Sequence, residues 1–316
     1  MIELRKDRYS TKASLINTDR GKRPSNLPGF LHYMEKLQHK EQEDVSPSCP
    51  FCVGNEEQFT PVEISRRYDT AGKWVARMVP NKYPGIPHID VEYVYNHLKP
   101  RGYHDLLIES NRHDHTLGRL DESDIEGNFK LLIDRMRFFE SDPRIKNITL
   151  FKNFGDKAGA SQYHSHWQLL ASDMEVRSSH ELSLCPQCAF NAEKSHDVGY
   201  EIYSDEYIIV YAPFVSEYAY EVNIAPIQHI NRLTLMDEIT VKKLSSMVKY
   251  IVQALESIEA PYNIYISYNI KDDKHLVTSV VPRIHTLGGF ELATGININP
   301  VDPLDTVKFY KEFVYR

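Results

Sequence analysis

The chain has 316 residues, 41% of them hydrophobic, and a formal charge of -7 at neutral pH. This is the composition of an ordinary soluble globular protein, with enough chain for one large or two modest domains. No long basic run is present, which excludes nucleic acid as the main partner and leaves room for a small anionic ligand.

The N-terminus, Met1 to Arg8, has no apolar core resembling a signal peptide, and no later apolar run is long enough to span a bilayer. A cytoplasmic protein with no membrane partner is expected.

The first landmark is Cys49-Pro50-Phe51-Cys52, and a second pair, Cys185-Pro186-Gln187-Cys188, accounts for the rest of the four cysteines. In a cytosolic chain such pairs read as metal sites or redox dithiols. A thioredoxin-like dithiol needs a strand before the pair and a helix starting at it. Pro47 and Ser48 before the first pair, and Gly54-Asn55 after it, do not fit that pattern.

After the first pair the predicted order is a strand over Trp74–Val79, a strand over Asp105–Glu109, and then His113 with Leu117 four residues on. A helix follows, with Ile125, Phe129, Leu132, Ile133, Met136 and Phe139 at helical spacing, and then a strand that opens on Asn147 and closes on Asn153. After the second pair the landmarks recur in order: strands over Tyr207–Tyr211 and Glu221–Ala225, and His229 with Leu233 four residues on. A helix striped by Leu244, Val248, Ile251 and Leu255 and a strand from Asn263 to Asn269 complete the series. The chain therefore reads as two copies of one unit, residues 1–175 and 176–316.

Between the Asn147–Asn153 strand and the second cysteine pair lies Gly159-Ala160-Ser161-Gln162-Tyr163-His164-Ser165-His166-Trp167-Gln168. Residues two apart on a strand share a face, so His164, His166 and Gln168 are expected to line one surface beside a small-residue loop. In the register of the repeat, His164 meets His275, His166 meets Val277 and Gln168 meets Ser279. The first half thus reads as catalytic and the second as architectural.

Each half offers two thiols and two imidazoles: Cys49, Cys52, His113 and His164 in one, Cys185, Cys188, His229 and His275 in the other. Such a set makes a closed tetrahedral zinc site of the structural kind, so two zinc ions are expected, one per half. His115 competes with His113, and the repeat favours His113 because His115 meets Asn231.

Together, Arg20-Gly21-Lys22-Arg23-Pro24, the first cysteine pair with Val53-Gly54-Asn55-Glu56, Val79-Pro80-Asn81-Lys82-Tyr83-Pro84, His113, Phe151-Lys152-Asn153 and the His164–Gln168 segment resemble a known family. It is the galactose-1-phosphate uridylyltransferase branch of the histidine-triad superfamily, which includes ADP-glucose phosphorylase-like and diadenosine polyphosphate phosphorylase-like members. The resemblance spans nearly the whole chain. It implies an α+β fold of two tandem histidine-triad-like half-domains, each an antiparallel sheet with a packed helix and a Cys/His zinc site.

The resemblance also implies that His166 attacks the α-phosphorus of a nucleotide sugar and carries the nucleotidyl group, with Gln168 donating to a phosphoryl oxygen. Neutral imidazole suits that role, being nucleophilic near pH 7 without a separate base. Lys152, Asn153, Ser161 and the amides of the Gly155 to Gly159 loop are expected to meet phosphate charge. By the same resemblance Phe51 and Asn81 would hold base or ribose, Arg20 or Arg23 a phosphate, and Gly289 and Glu291 would shape a sugar or phosphate pocket. The hexose-contacting tail of the galactose enzymes is not found, so galactose 1-phosphate does not carry over as the second substrate. The expected partners are a nucleotide sugar and a sugar 1-phosphate or phosphate, in a homodimer. The alternatives are a nucleotide-sugar or dinucleoside-polyphosphate phosphorylase or hydrolase, and a zinc-stapled nucleotide-binding protein without catalysis.

Overall fold

The computed structural model describes residues 2–6, 13–18, 45–60, 62–86, 88–89, 100–174, 185–193 and 199–314. In the first half, strands β3 (Ser65–Tyr68), β4 (Trp74–Pro80) and β5 (Gly102–Ile108) precede a long helix and strands β6 (Asn147–Phe154) and β7 (His166–Ser172). The second half repeats the series as β8 (Glu201–Ser204), β9 (Ile208–Tyr211), β10 (Val222–Pro226), a long helix, β11 (Tyr262–Asn269) and β12 (Thr278–Pro282). The ten strands form one sheet in the order β3-β4-β5-β7-β6-β11-β12-β10-β9-β8, with antiparallel neighbours throughout. Each half runs inward through equivalent strands, and the halves join where β6 pairs β11 from Asn147↔Asn269 to Phe154↔Tyr262.

The two long helices carry the apolar stripes read from the sequence. Helix α2 (Glu122–Ser141) buries Ile125, Phe129, Leu132, Ile133, Met136 and Phe139. Helix α4 (Glu238–Ser257) buries Leu244, Val248, Ile251 and Leu255 and starts where Asp237 accepts the Thr240 N–H at 2.7 Å. The helices pack on each other and against one face of the sheet. Each buried stripe residue contributes about 1.5–3 kcal/mol of burial, so this face is committed to stability.

The other sheet face carries the polar residues of β7. On β7, Trp167, Leu169 and Ala171 enter the core under the helices, which turns His166, Gln168 and Leu170 to the opposite side. Short helices α1 (Glu56–Phe59), α3 (Pro186–Glu193) and α5 (Gly289–Thr294), and the terminal α6 (Pro303–Val314), complete the α-helices of the described residues. A small separate sheet joins β1 (Ile2–Lys6), β2 (Ala13–Asn17) and β13 (Asn297–Asn299). The expected boundary at residues 175/176 falls in the segment 175–184, outside the described residues.

Candidate active site

The first cysteine pair, a turn before α1, meets His113 and His164 with all four ligand atoms within 4.8 Å of one another. Cys52 Sγ lies 3.2 Å from His113 Nδ1, and Cys49 Sγ and Cys52 Sγ each lie 3.6 Å from His164 Nδ1. Metal bonds of about 2.0–2.3 Å imply tetrahedral edges of roughly 3.3–3.8 Å, so the donors are spaced to hold an ion. The far nitrogen of His164, Nε2, sits 2.8 Å from the Ser110 carbonyl. A carbonyl can only accept, so Nε2 carries the proton and Nδ1 turns its lone pair to the thiols.

The second cluster, Cys185, Cys188, His229 and His275, repeats this design. His275 Nε2 donates to the Pro226 carbonyl at 2.8 Å, the position equivalent to Ser110 in the repeat, and its Nδ1 faces Cys188 Sγ at 3.5 Å. His229 Nδ1 lies 3.2 Å from Cys188 Sγ, and its Nε2 meets Asp273 at 3.2 Å. His115 joins neither cluster.

The expectation that His164 shares the strand face with His166 needs correction. Strand β7 begins at His166, and His164 occupies the bend before it, which lets its ring turn back to the thiols. His166 Nδ1 lies 2.9 Å from the carbonyl of His164. That carbonyl must accept, so His166 is protonated at Nδ1 and its Nε2 lone pair is free of any partner among the described residues. Burial pushes the His166 imidazole down to about 4, keeping it neutral near pH 7. Phe51 packs on it with ring centroids 5.2 Å apart.

Gln168 takes its orientation from a residue that the sequence reading missed. His104, on β5, has its Nδ1 2.9 Å from the Gly85 N–H and its Nε2 3.0 Å from Gln168 Oε1. The Gly85 amide can only donate, so Nδ1 accepts, Nε2 carries hydrogen, and the Gln168 atom facing it must be oxygen. The Gln168 amide nitrogen is thereby turned outward, with no partner among the described residues. Asn81 Nδ2 also approaches His104 Nε2 at 3.3 Å, but its own oxygen is held by the Tyr83 N–H at 2.9 Å. That contact sets donor against donor, so it is not a hydrogen bond and the Asn81 amide keeps its donors for a ligand.

Asn153 is set by the same logic. Asn263, on β11, donates at 2.8 Å to the Ala158 carbonyl and at 2.8 Å to Asn153 Oδ1, so Asn153 also presents nitrogen outward. The sequence signal here is the asparagine that opens the second-half strand, a residue otherwise read only as a repeat landmark.

Lys152 differs from expectation. It alternates with Asn153 and lies with Leu150 on the helix side, buried, where Nζ donates at 2.7 Å to Glu109 and at 2.7 Å to Ser165 Oγ. Its ammonium is neutralised and holds the residue between the two histidines, and it does not face the open surface. The loop also departs from expectation, because the N–H groups of Lys157, Ala158, Gly159 and Ala160 donate within the loop. Gly155 and Gly159 take positive φ values of 85° and 80° that permit this tight turn. Ser161 lies exposed just beyond it.

Gly289 opens α5, and Glu291 caps that helix by accepting the Gly288 N–H at 3.0 Å. Among the described residues no hydrogen bond ties either to the His166 face. Arg20 and Arg23 lie outside the described residues.

No family model matches the chain. It is similar to the ADP-glucose phosphorylase of Arabidopsis thaliana, 28% identical over 98% of this chain and 92% of that protein. It is also similar to the galactose-1-phosphate uridylyltransferase of Thermotoga maritima, 23% identical over 86% of this chain and 92% of that protein. The crystal structure of an Arabidopsis thaliana ADP-glucose phosphorylase with bound ADP-glucose superposes with a TM-score of 0.80 at 26% identity, covering 99% of this chain and 98% of that one. A uridylyltransferase structure shares the fold, with a TM-score of 0.69 at 21% identity over 100% of this chain and 99% of its own.

Proposed function

We propose that this galactose-1-phosphate uridylyltransferase-like chain of the histidine-triad superfamily is a nucleotidyltransferase that works through a covalent nucleotidyl-His166. One observation carries the reading: the His164 carbonyl holds the His166 Nδ1 proton, leaving Nε2 as a fixed lone pair beside the outward amide of Gln168. Nε2 attacks the α-phosphorus of a nucleotide sugar. The N–P bond forms as the P–O bond to the sugar phosphate breaks, and the departing dianion leaves as a sugar 1-phosphate. The positive charge that appears on the ring is stabilised by the Nδ1 hydrogen bond to the carbonyl. In the second step an oxygen of inorganic phosphate or of a sugar 1-phosphate attacks the same phosphorus, and the imidazole departs neutral. Gln168 and Asn153 supply donors to phosphoryl oxygens in both steps.

Similarity to an ADP-glucose phosphorylase over nearly the full chain favours an adenylylated donor and phosphate as acceptor. Zinc is the ion suited to both Cys2His2 clusters, where it would fix structure. In the first half it would anchor His164, whose carbonyl positions His166. Phe51 and Asn81 lie on the β4–β5 side of His166 and would receive the nucleoside.

The test supplies ADP-glucose or UDP-glucose with phosphate, hexose 1-phosphates or water, and follows the products by chromatography. The expected result is ADP and glucose 1-phosphate from ADP-glucose and phosphate, abolished in His166→Ala. Equal turnover by His166→Ala would contradict the reading.

A further inference from the structure

Across the open face, on the side of β7 away from Phe51 and Asn81, a cavity of about 250 Å³ is shared between the two halves. Its near wall is Phe151, which stands opposite Gln168 in the β6–β7 register. Asn153, Asn263 and Tyr265 form its middle, and Tyr218 and Arg283 its far end. The cavity therefore begins beside the proposed reacting centre and ends on residues of the half that lacks the nucleophile. That second half has closed its own equivalent site, since Val277 packs with Ile209, Tyr211 and Phe190 in an apolar cluster.

Arg283 is the unusual member of this cavity. The other buried and half-buried arginines of the described residues each lie within ion-pair distance of a carboxylate: Arg5 with Asp302, Arg66 and Arg77 with Glu63, Arg67 with Asp124, Arg101 with Asp173, Arg135 with Asp105 and Arg232 with Glu140. Arg283 has no carboxylate partner among them. Its guanidinium lies over the Tyr218 ring at 5.4 Å, and its buried Nε, like those of Arg67 and Arg232, has no hydrogen-bond partner among the described residues. A guanidinium that lines a cavity and has no carboxylate to neutralise it is matched by a phosphate, whose oxygens can take two of its N–H donors at once. Asn153 adds an outward amide nitrogen to the same space, because Asn263 has claimed its oxygen. The polar lining thus offers a cation and an amide donor with no carboxylate.

We infer that this cavity is the subsite for the phosphate-bearing acceptor, with Arg283 and Asn153 holding its phosphate dianion. By microscopic reversibility, the sugar phosphate that leaves the donor occupies the same place. The inference rests on the nucleotidyltransferase reading and gives the second half a direct part in the reaction: its Arg283 holds the group that arrives at, or departs from, the phosphorus on His166. The nucleoside then lies on one side of β7 and the exchanging phosphate on the other.

The experiment isolates the nucleotidyl adduct of the parent chain and of Arg283→Gln and titrates each with inorganic phosphate and with glucose 1-phosphate. The half-saturating concentration for discharge should rise roughly tenfold to a hundredfold in Arg283→Gln for both acceptors, the range expected for a lost charge-assisted hydrogen bond. Arg283→Lys should recover part of the loss. Unchanged saturation by both acceptors would overturn the inference. A rise for glucose 1-phosphate alone would also overturn it, because Arg283 would then be reading the sugar. Failure of the parent to form an adduct counts against the nucleotidyltransferase reading. In that case calorimetric binding of glucose 1-phosphate to the unreacted chain, weakened tenfold or more in Arg283→Gln, still decides the subsite. Should Arg283→Gln not fold, Arg283→Lys and Tyr218→Leu carry the same titration, with a smaller rise expected and parent-like saturation in both overturning the inference.

Discussion

His104 Nε2 donates to Gln168 Oε1 at 3.0 Å across the β5–β7 pair, and the Gly85 amide fixes the direction of that bond from the other side of the ring. Gln168 therefore meets an incoming phosphoryl oxygen with nitrogen already in place. His104→Leu should lower kcat roughly tenfold to a hundredfold, with a smaller change in KM, because the amide loses its preset orientation. Its unfolding free energy should fall by only about 1 kcal/mol. Steady-state kinetics beside urea unfolding checks this, and a parent-like kcat would show that Gln168 needs no support.

Lys152 and Glu109 form an ion pair at 2.7 Å with both side chains almost wholly buried. Removing one partner leaves the other charge uncompensated, at a cost of about 3–5 kcal/mol. Lys152→Met should be destabilised by that amount in urea, and the double variant Lys152→Met/Glu109→Leu should recover much of it. If Lys152 instead serves phosphate, its loss would raise KM with little change in stability.

The alternation of β6 already held this outcome. Lys152 shares its parity with Ile148 and Leu150, so a strand burying those residues must bury the lysine as well. The repeat was legible for a similar reason: cysteine pairs, histidines and bounding asparagines keep their order whatever the fold. The His104–Gln168 and Asn153–Asn263 bonds were not, because they depend on which strands are neighbours and in what register. Nor was the bend at His164, since an alternating pattern does not mark where a strand begins. Arg283 gave no signal either, because whether an arginine has a carboxylate partner is decided only by tertiary contacts.

Metal content separates the two clusters. The purified chain should contain two zinc ions, and Cys49→Ser and Cys185→Ser should each lose one. Activity should fall far more in Cys49→Ser, whose cluster holds His164 next to the nucleophile. Equal activity losses at matched stability, measured by elemental analysis beside turnover, would contradict that division.

Asp205 supplies an acid-dependent contribution to stability. Burial acts to raise its carboxyl, but the Ile208 and Tyr207 amides, the Tyr203 hydroxyl and Lys243 outweigh burial and hold it down to about 2. A depressed pKa means that this contribution is complete above the unfolded value of about 3.9 and is lost as pH falls toward 2. Asp205→Asn should be less stable than the parent at pH 6, with the gap narrowing between pH 4 and 2. A gap independent of pH in that window, in chemical denaturation, would show that charge is not the cause.

A covalent nucleotidyl group on His166 is open to mass spectrometry of the intact chain after brief exposure to ADP-glucose or UDP-glucose without acceptor. The expected result is a mass increase of one nucleotidyl group, a nucleoside monophosphate less one water, absent in His166→Ala, retained in His104→Leu at a slower rate, and discharged by phosphate or a sugar 1-phosphate. An unmodified mass with every nucleotide sugar, or an adduct that persists in His166→Ala, would contradict it.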